Sequence, residues 1–274
     1  VEGGGVNVLD LFSGIGGFSL GLERAGMRTV AFCEIDPYCR RVLAKHWPGV
    51  PCYDDVRTLT ADRLRADGIV PDVICGGFPC QDVSIAGRGA GIEGERSGLW
   101  SEYARIIGEL RPRYVIVENV SALLARGLDR VLGDLAALGY DAEWHCIPAS
   151  AVGAPHERDR IWIVAYPHKR QRIRPQWPLC AGRDAAGSSG ETLADTDQRD
   201  EQRRRGALQM GRLPIASEVA DDGYARRVQW GAEPGLGRVA HGVSDRVDRL
   251  RSLGNAVVPQ IPEIIGRAIM SSAR

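Results

Sequence analysis

Three short runs of the chain gather residue types that do chemistry. Gly76-Gly77-Phe78-Pro79-Cys80-Gln81-Asp82-Val83-Ser84 sets a cysteine behind a proline at the mouth of a glycine-rich loop. A lone cysteine commonly serves as a small core residue, yet such a loop mouth offers little to pack against. As a thiolate it would be a strong nucleophile, partly ionised near neutrality. Glu118-Asn119-Val120 ends an apolar stretch with a carboxylate. That carboxylate would either cap the next helix or stand as an acid in the same crevice as Cys80. Asp10-Leu11-Phe12-Ser13-Gly14-Ile15-Gly16-Gly17-Phe18 leads an apolar run into clustered glycines. This arrangement brings backbone N–H groups to an anionic ligand group. Glu34, Ile35 and Asp36 follow about 20 residues later, where a carboxylate can hold a ribose hydroxyl. The dinucleotide fingerprint needs a further glycine where Ser19 stands, which weakens a nicotinamide reading.

Residues so spaced need a scaffold that brings them to one edge. The first 165 residues alternate short apolar runs with helical patterns, as a doubly wound α/β sheet with parallel strands does. The expected strands are Val6–Phe12, Thr29–Glu34, a short one ending near Tyr53, Asp72–Cys75, Tyr114–Val117, Tyr140–Ile147 and Arg160–Ala165. Helices are expected over Gly17–Ala25, Pro37–Trp47, Leu99–Leu110 and Ala122–Leu138. In such a sheet ligands bind beyond the strand C-termini. Five glycines between Gly87 and Gly98 provide hinges for a lid over Ser84–Gly98, which carries Arg88 and Arg96. From about Tyr166 to Val243 the periodicity fades and Gly, Pro, Arg and Asp dominate. Disorder is one reading; Trp177, Trp230 and scattered leucines favour a small irregular domain. A turn over Arg251–Gln260 and a helix over Pro262–Met270 close the chain.

The 274 residues balance 35 basic against 35 acidic groups. Zero net charge excludes a histone-like or polybasic mode of binding polyanions. The balance is uneven along the chain. Residues 1–167 carry 17 basic and 22 acidic groups, whereas residues 168–251 carry 16 and 12. All cations but Lys45 and Lys169 are arginines, whose planar fork suits phosphates and base edges. Seven cysteines without a CxxC pair argue against a disulfide framework or zinc ribbon and for a reducing cytosol; no metal site is expected. Neither a leader nor a run of 18 apolar residues is present, so a cytoplasmic protein is expected, with no membrane contact.

Taken in order, these segments resemble the motif set of the DNA (cytosine-5)-methyltransferases, of bacterial or phage type, over about residues 6–165 and 240–270. Gly77-Phe78-Pro79-Cys80-Gln81 is similar to the nucleophile motif, Glu118-Asn119-Val120 to the family's ENV, and Asp10–Phe18 to its cofactor turn. His156-Glu157-Arg158-Asp159-Arg160 is similar to QxRxR, with His156 in place of the usual glutamine. Leu253-Gly254-Asn255-Ala256-Val257-Val258-Pro259 resembles the closing motif that lines the cofactor pocket. Val83 stands where many members carry an aromatic.

The resemblance implies a Rossmann-like S-adenosylmethionine-dependent methyltransferase fold. Residues 1–165 and 251–274 would form the catalytic domain and 166–250 an inserted target-recognition domain. It implies Cys80, Glu118, Arg158 and Arg160 as catalytic residues, both arginines serving the ring carbonyl and adjoining backbone. It assigns Phe12, Gly14, Gly16, Gly17, Glu34, Ile35, Asp55, Val56, Pro79, Asn255 and Val257 to S-adenosylmethionine; adjacent Asp54 leaves the Asp55 register open by one. Partners would be double-stranded DNA holding a target cytosine and, acting separately, a cognate restriction endonuclease; the chain would be a monomer of bacterial or prophage origin. The family's RNA-methylating branch carries a Cys-Phe-Thr that is absent here, and a catalytically inactive DNA-binding relative is the other alternative.

Overall fold

The computed structural model describes residues 5–79, 99–168 and 246–272. Cys80, the expected lid Ser84–Gly98 and nearly all of the expected recognition domain lie outside the described residues.

The order of elements is β1 (Asn7–Leu11), α1 (Gly17–Arg24), β2 (Arg28–Cys33), α2 (Pro37–His46), β3 (Cys52–Tyr53), α3 (Ala61–Ala66), β4 (Val73–Gly76), α4 (Leu99–Leu110) and β5 (Tyr114–Val120). Then come α5 (Leu123–Arg126), α6 (Leu128–Ala137), β6 (Tyr140–Ile147), a 3-10 turn (Ala149–Val152), β7 (Arg160–Pro167), α7 (Arg246–Asn255) and α8 (Gln260–Ser272). The strands make one seven-stranded sheet in the order β3-β2-β1-β4-β5-β7-β6. This is the Rossmann-like α/β architecture expected.

Strand residues alternate between the sheet's two faces with period two. Leu9, Leu11, Ile74, Val115, Val117, Ile161 and Ile163 join Trp100, Tyr103 and Leu135 on one side. Val8, Cys75, Ile116, Trp162 and Val164 join Phe18, Leu22, Ile261, Ile265 and Ile269 on the other. Each fully buried aliphatic side chain contributes roughly 1.5–3 kcal/mol of transfer free energy. Glycines let α1 and α8 meet closely: a Cβ on Gly21 would lie 2.2 Å from the Pro259 carbonyl, and one on Gly266 2.7 Å from Ala25 Cβ.

The structure departs from the sequence expectation in four places. The strands are not all parallel: β7 runs antiparallel to both β5 and β6. A parallel β6–β7 pair needs a crossover, usually a helix. The connection holds only the 3-10 turn, so the two strands pair as a hairpin. The helix expected over Ala122–Leu138 is two helices, broken at Gly127, whose φ of 148° is open only to glycine. The helix α3 was not anticipated; Thr60 caps it by accepting from the Arg63 N–H at 3.2 Å, and Leu64 anchors it in the core. Residues 246–255 form α7 where a turn was expected from Arg251. Val247, Leu250 and Leu253 on α7 are exposed, so no buried stripe announced that helix. Among the described residues no helix is long and apolar enough to cross a membrane.

Candidate active site

Strands β1, β2, β4 and β5 run parallel, so their C-terminal ends share one edge of the sheet. The segments Phe12–Gly16, Glu34–Asp36, Gly77–Pro79 and Glu118–Val120 therefore converge there. The antiparallel sense of β7 matters at this edge. It brings the start of that strand, not its end, beside the end of β5: Val120 faces Arg160 and Glu118 faces Trp162. Residues two apart on a strand share a face, so Glu118 and Arg160 become diagonal neighbours.

Their side chains meet, with Arg160 Nε 3.0 Å from Glu118 Oε1. Burial raises the Glu118 pKa, while Arg160 and, more weakly, Arg158 pull it back. The net shift is upward, which favours the protonated carboxyl more than in an exposed glutamate. Across the crevice Gly77 lies so close that a Cβ there would stand 2.7 Å from Glu118 Oε2. The missing side chain of Gly77 is therefore the space that Glu118 occupies. Buried Asn119 accepts from the Val120 N–H through Oδ1 at 2.8 Å and donates from Nδ2 to the Phe78 carbonyl at 3.1 Å. Asn119 thus ties β5 to the segment that leads through Pro79 into Cys80.

The glycine turn is built on Ser13 and Glu34. Ser13 Oγ donates to the Asp10 carbonyl at 2.6 Å and accepts from the Cys33 N–H at 3.3 Å. Glu34 Oε2 accepts from the Gly14 N–H at 2.7 Å and Oε1 from the Asp36 N–H at 2.8 Å. Phe12 adopts a φ of 53°, unusual for a residue with a side chain, and packs edge-on against Tyr103. Such strain persists where the surroundings impose it, commonly at ligand sites. Gly16, at φ 86°, rests on the Trp47 ring. Trp47 Nε1 in turn donates to both Glu23 carboxylate oxygens at 2.9 Å. Ile35, beside Glu34, is an apolar side chain left 65% exposed.

Asp55 accepts from the Arg57 N–H at 2.9 Å and from the Arg57 guanidinium at 2.7 Å. These contacts hold its carboxyl below the usual range. Val56 is buried next to it. From the C-terminal segment, the Val257 carbonyl sits against Gly17, leaving 2.5 Å for a Cβ, while Asn255 is exposed. Arg158, with φ 43°, donates to the carbonyls of Gly254 and Ala256.

The described residues thus gather Phe12, the glycine turn, Glu34, Ile35, Pro79, Glu118 and Arg160 at one edge, with Val257 closing from the side of α1. Sequence reasoning did not single out Trp47, nor give Gly77 or Asn119 a part. The glycine pair before Phe78 was a visible signal for Gly77. Nothing in the sequence marked Trp47. Among the described residues no group of His, Cys, Asp and Glu is arranged to hold a metal ion.

Known proteins resemble this chain in sequence and in fold. The sequence profile described as C-5 cytosine-specific DNA methylase matches residues 6–205. The chain is 36% identical over 168 residues to the Type II methyltransferase M2.BsuMI of Bacillus subtilis, covering 58% of this chain and 42% of that protein. It is 36% identical over 178 residues to the Type II methyltransferase M.Eco47II of Escherichia coli, covering 62% and 42%. The chain thus matches under half the length of these relatives. Among solved structures, the Entamoeba histolytica methyltransferase EhMeth superposes with a TM-score of 0.63 at 14% identity, over 99% of this chain and all of that one, a likeness of fold. A candidate DNA modification methyltransferase encoded within an E. coli prophage superposes at 0.53 with 28% identity, over 62% and 48%.

Proposed function

Because the chain belongs to the C-5 cytosine-specific DNA methylase family, we propose that it methylates carbon 5 of a cytosine in double-stranded DNA, with S-adenosylmethionine as methyl donor. The observation that carries this reading is the partly buried Glu118–Arg160 pair, set against Gly77 at the edge where the chain runs on into Cys80.

The residues present suit the donor. Glu34 keeps lone pairs free for ribose hydroxyls after accepting the two amides, and exposed Ile35 offers a purine an apolar face. Phe12, Gly14, Gly16 and Gly17 would line the turn, Pro79, Asn255 and Val257 its sides. An adenine amine at Asp55 would share the carboxylate with Arg57, beside Val56. Bound S-adenosylmethionine supplies the methyl group as a sulfonium electrophile.

Carbon 5 of cytosine is a poor nucleophile and must be activated. Cys80, as thiolate, would add to carbon 6, forming a sulfur–carbon bond and pushing the ring electrons toward carbon 5. Glu118 would give its proton to N3 and accept from the exocyclic amine, and its raised pKa supports that use. Arg160 would hold the ring carbonyl while keeping Glu118 in place. Once carbon 5 carries the methyl group, a base removes its proton and the sulfur–carbon bond breaks, returning the thiolate. None of this is open to a stacked base, so the cytosine must be flipped out, at a cost of a few kcal/mol.

Residues 1–165 and 251–274 form the catalytic domain in this reading, and 166–250 the target-recognition domain. The basic excess of the latter would face phosphates while a few side chains read base edges. The relatives' Type II names support a restriction-modification setting with a separate endonuclease. The protein would act as a monomer in the bacterial cytoplasm.

Incubation with labelled S-adenosylmethionine and either DNA or tRNA tests the proposal. Label should enter DNA with the wild type and not with Cys80→Ser. Transfer to tRNA alone, or none by folded protein, would refute it.

A further inference from the structure

Arg158 stands two residues before Arg160, in the loop that enters β7. In a straight extension of that strand the two side chains would share a face and both guanidinium groups would approach Glu118. The left-handed backbone at Arg158 breaks that extension. Its Nη1 donates to the Gly254 carbonyl at 2.5 Å and its Nη2 to the Ala256 carbonyl at 2.9 Å, 96 and 98 residues along the chain. Gly254 lies in the last turn of α7, where carbonyls lack helical partners and a cation is favoured. A planar fork can span two carbonyls on either side of one residue, which a lysine ammonium cannot do equally well.

The bracketed residue is Asn255, and the next peptide carries Val257. The carbonyl of Val257 presses on Gly17 with no room for a Cβ between them. Upstream, the same segment is tied to α2: Arg251 pairs with Asp36, and Ser252 Oγ meets Cys39 Sγ at 3.4 Å. The segment from Arg251 to Val257 is thus a strap, fastened beside Glu34 at one end and to Arg158 at the other.

We propose that Arg158 is a positioning residue, a clasp that holds Asn255–Val257 against the glycine turn and so sets affinity for S-adenosylmethionine. The sequence resemblance had placed it on the cytosine ring instead. The proposal rests on the reading of the turn as the methyl donor's site. Arg160 keeps the contact with Glu118, so the two arginines of one short motif serve two different ligands.

The test is binding of S-adenosylmethionine by calorimetry without DNA, in wild type, Arg158→Ala, Arg158→Lys and Arg160→Ala. Losing two charge-assisted hydrogen bonds should weaken binding by Arg158→Ala about tenfold or more, with Arg158→Lys recovering part. Arg160→Ala should bind the donor within about twofold of wild type yet fail to methylate. Arg158→Ala binding as wild type does, or weakening matched in Arg160→Ala, would overturn the clasp. Hydrogen exchange at residues 255–258 reads the strap without any ligand, and Arg158→Lys serves if the alanine variant does not fold. Faster exchange confined to that segment supports the clasp, and unchanged exchange overturns it. Wild type that binds no S-adenosylmethionine would defeat the functional reading, leaving hydrogen exchange to decide the clasp.

Discussion

Replacing Gly77 by alanine sets stability and turnover against each other. The Gly77 backbone is not left-handed, so alanine fits it without strain. Such a change narrows the unfolded ensemble and favours the fold by about 0.4–1 kcal/mol. The new Cβ, however, would stand 2.7 Å from Glu118 Oε2, where ordinary contact begins near 3.4 Å. The carboxylate must retreat by about 0.7 Å, disturbing its 3.0 Å pairing with Arg160, and a misplacement near 1 Å costs on the order of 100-fold in rate. Oε2 is the end of a side chain and can move, so the cost falls on geometry more than on folding. Single-turnover methylation should therefore drop by about 10- to 100-fold while the melting temperature holds or rises slightly. Donor binding without DNA should be unchanged, because Gly77 faces Glu118 and not the glycine turn. Wild-type turnover in Gly77→Ala, or turnover and melting temperature falling together, would refute the placement of Glu118 against Gly77.

Three further outcomes can be measured. If protonated Glu118 serves N3 as proposed, the rate should fall as pH rises through its raised pKa, and Glu118→Gln should lose that limb and about 100-fold or more in rate. Burial raises the Asp10 pKa to about 7, against the pull of the Ser19 hydroxyl at 2.7 Å. The folded state then keeps this proton to higher pH than the unfolded state, so stability is lost between about pH 4 and 7, by on the order of 4 kcal/mol. Asp10→Asn should remove that slope in melting temperature against pH, and an unchanged slope would place the titration elsewhere. DNA affinity should fall steeply with salt, by a logarithmic slope of about −0.9 per neutralised phosphate, and a shallow slope would count against residues 168–251 as the phosphate-facing surface.

Much of the scaffold was legible because its signals are local. Leu99–Leu110 and Tyr140–Ile147 fall where the pattern put them, since a helix of that length and an eight-residue strand carry several periods each. The six residues of α3 carry fewer than two turns, too little for a period to register. The break at Gly127 was hidden because the apolar spacing runs on across it. Strand direction is not written in composition: Arg160–Pro167 reads the same parallel or antiparallel, yet its sense decides whether Arg160 meets Glu118. The motif segments stand out in the sequence because their residue types are chemically distinctive. The contacts of Arg158 do not, as its pairing with Gly254 and Ala256 depends on a backbone twist and on residues nearly a hundred positions apart.

The proposed reaction breaks one bond that can be followed directly, between carbon 5 of cytosine and its hydrogen. DNA carrying tritium at that position, incubated with the protein and labelled S-adenosylmethionine, reads its fate directly. Tritium should be released to water in step with methyl groups incorporated, both abolished in Cys80→Ser. Methyl incorporation with the tritium retained would place the new group elsewhere on the base and contradict that reaction.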